Sequence, residues 1–255
     1  PSPAGRGAEC LPLPAGEDRG EGIRPHYSST SGRENMRTTH STFRLAGTTV
    51  HQITFDPTTF TDADLLWLPH QAQLTDAGRK RKTEHLAGRI AAAHALRAFN
   101  ERAVPGIGPS GEPLWPEGIT GSITHSSTQA MAVVARYPHT LIGIDLEAIL
   151  SENEAHDIKE GVIDAQEETR LLQSGKPFAL TLTLAFSAKE SLFKALFPVV
   201  REYMGFECAR VSALNEKTLV LKLAQPIGCY YEGLCFNLAW QIMDESVCTL
   251  LVVQE

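Results

Sequence analysis

Long apolar runs, cysteine pairs at metal-binding spacing and a surplus of positive charge are all scarce in this 255-residue chain, and each shortage excludes something. No run approaches the roughly 20 apolar residues that a membrane-crossing helix needs. Residues 1–35 show neither the basic-then-apolar order nor the cleavage pattern of a signal peptide. Of five cysteines, Cys208, Cys229, Cys235 and Cys248 fall in the last quarter without CxxC spacing, and Cys10 stands alone. That pattern indicates neither a zinc site nor a disulfide framework; the expectation is reduced, mostly buried thiols of a cytoplasmic protein. A formal net charge of -7 argues against a general nucleic-acid binder, which presents a dominant basic surface. It leaves room for an anionic small ligand held by a local basic cluster. GxSxG, P-loop and GxGxxG patterns are missing, so nucleophilic-serine and nucleotide-loop chemistries lack support.

What is present is an ordinary globular composition, 42% hydrophobic and 21% charged, with enough length for one large domain or two modest ones. Residues 1–35 are rich in proline and glycine, as in Pro12-Leu13-Pro14-Ala15-Gly16, and have no periodicity. They are expected to be a disordered, dispensable extension, with Met36 as the true start. Alternation over Thr48–Phe55 predicts a strand, and a helical stretch from Asp62 to Leu68 ends at Pro69. Leu86, Ile90, Ala93 and Leu96 recur at helical spacing and predict a helix from about Ala77 to Asn100. After the turn-rich stretch Pro105 to Pro116, three strands are expected, Ile119–His125, Ala130–Tyr137 and Leu141–Ile149, forming a meander. Helices over Asp164–Gln173 and Leu180–Phe197 follow, then strands over Arg210–Leu214, Thr218–Leu223, Cys235–Met243 and Val247–Val253. Each half therefore mixes helices and strands, an α+β arrangement of two subdomains, 36–138 and 139–255, meeting near residue 138.

Two strings carry the chemistry. In Gly143-Ile144-Asp145-Leu146-Glu147, strand alternation puts both carboxylates on one face, roughly 6–7 Å apart. Two oxygen ligands at that separation can share one hard cation and leave positions for water and phosphate oxygens, as magnesium prefers; a solvated strand face is the commoner explanation of an isolated D-x-E. In Phe186-Ser187-Ala188-Lys189-Glu190-Ser191-Leu192-Phe193-Lys194, Glu190 falls within the stripe of Phe186, Phe193 and Phe197. A carboxylate there needs a partner. Lys194, four residues on, can supply one within the helix, and a metal shared with Asp145 and Glu147 is the other solution. Lys189 sits about 100° round the helix and can face the rim of the same site. Arg79-Lys80-Arg81-Lys82 puts cations at a helix N-terminus; a solvated basic helix start is the plainer reading, but it opposes the macrodipole, and an anionic ligand would relieve that conflict. Arg81 and Arg89 differ by about 80° in azimuth and can reach one groove. His125 ends a strand beside Ser126 and Ser127, where a structural role competes with a functional one; His70 and His94 are read as structural.

Taken in order, Gly111-Glu112-Pro113-Leu114-Trp115-Pro116, Gly121-Ser122-Ile123-Thr124-His125-Ser126, Ile142 to Glu147 and Phe186 to Lys194 resemble the motifs of the 4'-phosphopantetheinyl transferase superfamily. Arg79 to Arg89, Phe55-Asp56-Pro57 and Leu65 to His70 are similar to the branch that serves enterobactin synthesis. The resemblance runs from about residue 38 to 200 and weakens beyond. It implies two pseudo-symmetric α+β halves with coenzyme A in the cleft between them. It implies Asp145, Glu147 and Glu190 as ligands of magnesium on the diphosphate, and Arg81, Arg89, Thr124, His125, Lys189 and Lys194 as contacts of the coenzyme. It makes Glu190, Lys194 and His125 the catalytic set, with Glu190 as the base for the attacking serine hydroxyl. The partners implied are apo aryl and peptidyl carrier proteins of enterobactin synthase, with no nucleic acid; a two-halved cleft makes a monomer sufficient. The location implied is cytoplasmic, and the same branch raises peripheral membrane association through the synthase complex. Ser110 stands where some relatives carry a basic residue, so one phosphate contact is absent or comes from elsewhere. The residues themselves also permit a magnesium-dependent phosphohydrolase of a nucleotide-like diphosphate, or a carrier-docking subunit without activity.

Overall fold

The computed structural model describes residues 35–137 and 140–254. Apart from Asn35, the expectation for residues 1–35 lies outside the described residues, as do Cys10 and the subdomain boundary at 138/139. Strands β1 (Thr38–Leu45) and β2 (Thr48–Phe55) open the chain, followed by 3-10 turns at Pro57–Thr59, Asp62–Trp67 and Gln71–Leu74 and by helix α1 (Arg79–Arg97). Short strands β3 (Gly106–Ile107) and β4 (Pro113–Leu114) lead to β5 (Ile119–Ser126), β6 (Gln129–Arg136) and β7 (Thr140–Ala148). Three helices come next, α2 (Glu152–Val162), α3 (Ala165–Leu172) and α4 (Phe178–Val200). Strands β8 (Ala209–Leu214), β9 (Thr218–Leu223), β10 (Cys235–Met243) and β11 (Ser246–Gln254) close the described chain. Among the described residues no helix is long and apolar enough to cross a membrane.

The α+β class is as the sequence predicts, and the departures have physical reasons. The expected helix at Asp62–Leu68 is a 3-10 turn whose Thr61 and Asp64 form a capping box. β1 escapes periodicity because it is an edge strand exposed at most positions. α2 escapes because it buries only Ala155 and Val162, although Ser151 and Glu154 form the capping box that signals a helix start. α4 runs on through Pro198, which lies in its last turn, two residues before the helix ends at Val200. Of the four cysteines described, Cys208 and Cys248 are buried but Cys229 and Cys235 are exposed, so the expectation of mostly buried thiols holds for half of them.

The meander fails in a way that matters. β5 and β6 pair in a four-stranded sheet of order β1-β2-β6-β5, but β7 joins a five-stranded sheet of order β7-β11-β10-β9-β8. One face of the first sheet packs Ile53, Phe55, Ala130 and Ala132 against Leu86, Ala91 and Leu96 of α1. Its other face, through Val50, Met131 and Val133, meets Ile142, Ile144, Leu146 and Leu250 of the second sheet. The far face of the second sheet carries Leu219, Leu238 and Leu251, packed with Leu182, Leu192 and Leu196 of α4. Alternation along β7 thus splits the strand: even positions face the first sheet, and the odd positions, which include Asp145 and Glu147, face α4.

β7 is an edge strand, yet it is buried, so its outer amides need acceptors. Ser122 and Thr124 of β5 provide them: Ile144 N donates to Ser122 Oγ at 3.0 Å and Leu146 N to Thr124 Oγ1 at 3.1 Å. On the α4 side the helix lies directly on the β7 backbone at Gly143. A Cβ there would overlap the Ser191 carbonyl oxygen and crowd Ala195 N. Neither atom can rotate away, so Gly143→Ala should lower stability by at least about 2 kcal/mol, the range of core overpacking. Urea unfolding of that variant is the check, and a midpoint unchanged from the parent would contradict this packing.

Candidate active site

With Gly143 admitting the helix, hydroxyl groups fix its height and rotation. Ser187 Oγ and Ser191 Oγ lie 2.9 and 2.8 Å from Thr249 Oγ1, all fully buried. Thr249 of β11 stands directly opposite Asp145 of β7. This latch brings Lys194 over the strand, where its Nζ meets Asp145 Oδ1 at 2.7 Å and donates to the Ile144 carbonyl at 3.2 Å. Asp145 is only 3% exposed. The Thr124 hydroxyl lies 3.4 Å from its Oδ1, while Oδ2 is buried without any hydrogen-bond partner.

The carboxylates around that ion pair are electrostatically crowded. Burial and the Asp145 charge push Glu147 up to about 7, with Lys194 opposing and Glu190 adding to the rise. Burial and the Asp145 charge also raise Glu190, again against Lys194. Among the described residues Lys194 forms its ion pair with Asp145 alone. The intrahelical Glu190–Lys194 pair that the spacing allowed is replaced by Lys194–Asp145, since the more deeply buried acid has the greater need of a cation.

His125 comes to the same place at the half-exposed end of β5. Its Nδ1 lies 3.8 Å from Glu84 Oε2 of α1. Burial lowers its pKa, Glu84 and Asp145 oppose this, and Lys194 and Lys80 reinforce it. At the start of α1, Arg79 is consumed by the Pro57, Thr58 and Phe60 carbonyls and Lys82 by Asp62 at 3.1 Å. Arg81 is exposed and has no side-chain partner among the described residues, which leaves its charge available. One turn on, His85 shares a 2.8 Å contact with His70, and burial, then Arg89, hold it neutral down to about 3.

Three expected contacts of the coenzyme are occupied otherwise. Arg89 is 5% exposed, and its guanidinium donates to the Pro105 and Gly106 carbonyls at 2.8 Å each, bracing α1 against the following loop. Thr124 is buried, with its hydroxyl between the Leu146 amide and Asp145. Lys189 is buried against Glu167 at 2.9 Å rather than on the rim with Glu190. Helical azimuth indicated a direction for Arg89 and Lys189 but not what they would meet. Ser110 N donates to Glu112, whose carboxylate pairs with Arg201 at 2.7 Å. His94 is structural as read, stacked on His40 at 3.7 Å, and His40 Nε2 lies 3.1 Å from His51 Nδ1. The sequence reading missed His85, Glu84 and Glu167. Only the Asp164-to-Glu167 capping-box spacing could have signalled one of them.

Asp145, Glu147 and Glu190 fit a hard divalent cation by donor type and by need. They supply carboxylate oxygens, one of them orphaned, and two of the three are held above the usual carboxylate range. Among the described residues no three such side chains are already drawn to common ligand distance.

Residues 69–135 match the 4'-phosphopantetheinyl transferase N-terminal domain and residues 141–248 the 4'-phosphopantetheinyl transferase superfamily. The chain belongs to the 4'-phosphopantetheinyl transferase superfamily. It is 46% identical over 215 residues to enterobactin synthase component D of Escherichia coli (strain K12), covering 84% of this chain and 98% of that protein. The component D of Salmonella typhi is 44% identical over 216 residues, 85% of this chain and 91% of its own length. The 4'-phosphopantetheinyl transferase PptT of Mycobacterium tuberculosis is 34% identical over 159 residues, 59% of this chain and 67% of that protein.

The crowding can be tested without any ligand. The folded-state pKa of Glu147 lies above its unfolded value, so ionising it costs the fold stability as pH rises from the ordinary carboxylate range through about 7. Glu147→Gln should therefore raise the metal-free melting temperature at pH 8 and make little difference at pH 5. The gain should be on the order of 1 kcal/mol, since solvent screens this partly buried group. Melts that shift equally at both pH values would refute the crowding.

Proposed function

We propose that this chain transfers the 4'-phosphopantetheine group from coenzyme A to a serine of apo carrier proteins of enterobactin synthesis, giving holo carrier protein and 3',5'-ADP. The family membership supports the reaction, and the name of its 46%-identical relative, enterobactin synthase component D, supports the carrier. The observation that carries the site is the buried Asp145–Lys194 pair at 2.7 Å, with Asp145 Oδ2 unpartnered among the described residues; the raised Glu147 and Glu190 beside it support the reading.

Asp145, Glu147 and Glu190 would hold magnesium, which when bound neutralises charge on the diphosphate. The rest follows from this chain's own groups. Arg81, at the start of α1, and His125 offer charge and a hydrogen bond to phosphate oxygens. Lys194, fixed by Asp145, presents a cation beside the reacting phosphorus. The serine Oγ of the carrier attacks the phosphorus bearing the pantetheine arm, and the bond from that phosphorus to the bridging oxygen breaks. The electron pair leaves on 3',5'-ADP. Glu190, whose basicity is raised by burial, takes the hydroxyl proton. Coenzyme A would lie between two subdomains, 36–138 and 139–255, each built on one of the two sheets. A cytoplasmic monomer suffices for this reaction.

Mass spectrometry of an apo aryl carrier protein incubated with coenzyme A, magnesium and this chain is the direct test. Addition of the phosphopantetheine mass is expected; hydrolysis of coenzyme A with an unmodified carrier would favour a phosphohydrolase, and no turnover a docking subunit. Asp145→Asn and Glu190→Gln should each cut transfer by at least about a hundredfold, the scale of a lost catalytic acid or base. Glu190→Gln should leave the melting temperature nearly unchanged, whereas Asp145→Asn should also lower it by removing the partner of Lys194. Near-normal turnover in either variant would refute the site.

A further inference from the structure

Lys189 immediately precedes Glu190, yet its ammonium is buried in the fold rather than placed at the rim. Its Nζ donates to the Val162 carbonyl at 2.7 Å and the Phe206 carbonyl at 3.0 Å, and pairs with Glu167 Oε1 at 2.9 Å. Those three acceptors use all three ammonium protons, leaving none for a ligand. The two side chains are 3% and 2% exposed. Glu167 is committed as fully: Oε1 also accepts from Val211 N at 2.7 Å, and Oε2 from Asp164 N at 2.9 Å. One buried ion pair thus ties the end of α2, the start of α3, the Phe206 turn and β8 to a single residue of α4.

The position of that tie on the helix gives it a purpose. Successive residues of a helix step round by 100°. Ser191, Glu190 and Lys189 therefore point to three directions, with Glu190 in the middle. Ser191 is anchored to Thr249 on the sheet side. Lys189 is anchored to Glu167 on the outer side. The rotation of α4 about its own axis, which aims Glu190, is held from both flanks. A buried ion pair adds little net stability over apolar packing, so this pair is better accounted for by orientation than by energy.

We propose that Glu167 is a positioning residue for the metal site, acting through Lys189 to fix the direction of Glu190. The proposal rests on the magnesium reading of Asp145, Glu147 and Glu190. It predicts that Glu167, which lies outside the site, controls metal affinity, and that Lys189 does so without touching coenzyme A.

The test compares Glu167→Gln, Lys189→Met, Lys189→Arg and the double variant Glu167→Gln/Lys189→Met, using Mn2+ binding to the free protein by electron paramagnetic resonance. Steady-state kinetics in magnesium and coenzyme A run alongside, all well below each melting temperature. Glu167→Gln is isosteric and keeps the space filled, which guards against a variant that fails to fold. Each single change should weaken Mn2+ binding and raise the half-saturating magnesium about tenfold, the usual effect of losing a residue that orients metal ligands. KM for coenzyme A at saturating magnesium should stay within about twofold, because no substrate contact is lost. Lys189→Arg should not rescue, since the longer fork cannot meet the same three acceptors. The double variant should be no worse than the singles, as residues acting through one contact are not additive. Folded variants that bind Mn2+ like the parent would overturn the proposal. So would a raised KM for coenzyme A with normal Mn2+ binding, which would make Lys189 a phosphate contact. A parent protein that takes up no Mn2+ would overturn both this proposal and the metal reading beneath it, a result distinguishable from indifferent variants.

Discussion

A strand with one unpaired edge is tolerated in a protein interior only if something other than a strand accepts its amides. β7 meets that constraint with the hydroxyls of Ser122 and Thr124, and the rest of the site depends on how it does so. Side chains acting in place of a backbone ladder let two sheets meet without merging. The odd face of β7 is then free for α4, and the bare Gly143 lets the helix come to backbone contact. Asp145 is carried to the point where both sheets and the helix approach one another. Thr124 serves twice there, capping the Leu146 amide and standing 3.4 Å from Asp145.

The electrostatics follow from that geometry. A carboxylate on a buried strand must be compensated, and Lys194 compensates only one oxygen of Asp145. Glu147 and Glu190 come into the same region with no ion-pair partner among the described residues, and burial raises the proton affinity of both. Beside the site, the buried Lys189 is fully met, by the Glu167 carboxylate and two carbonyls. The contrast between complete pairing beside the site and incomplete pairing within it supports reading the acids as built for a ligand rather than for the fold.

Local pattern made much of this legible. Alternation put Asp145 and Glu147 on one face, helical spacing isolated α1 and α4, and an acid inside an aromatic stripe marked Glu190. Pairing between distant segments stayed hidden. The meander follows from the tendency of consecutive strands to pair, and it fails because β7 finds β11 at the far end of the chain. Lys189 and Arg89 were assigned to the coenzyme by azimuth and by resemblance, and a cation that meets a phosphate looks the same in sequence as one that clamps carbonyls. β1 and α2 were missed because exposed or polar elements carry little apolar periodicity, though Ser151 and Glu154 held a capping signal for α2.

The pairing of β7 with β11 also has a consequence in time. Asp145 is held opposite Thr249, so the strand bearing the acids has no ladder partner until almost all the described chain has been synthesised. The first sheet and α1 draw on early segments and can form while synthesis continues. The Ser187 and Ser191 latch on α4 must wait for Thr249 as well. A nascent chain therefore carries the basic helix early and the acidic centre last. The strand that bears the acids gains its ladder partner only when β11 slots between β7 and β10.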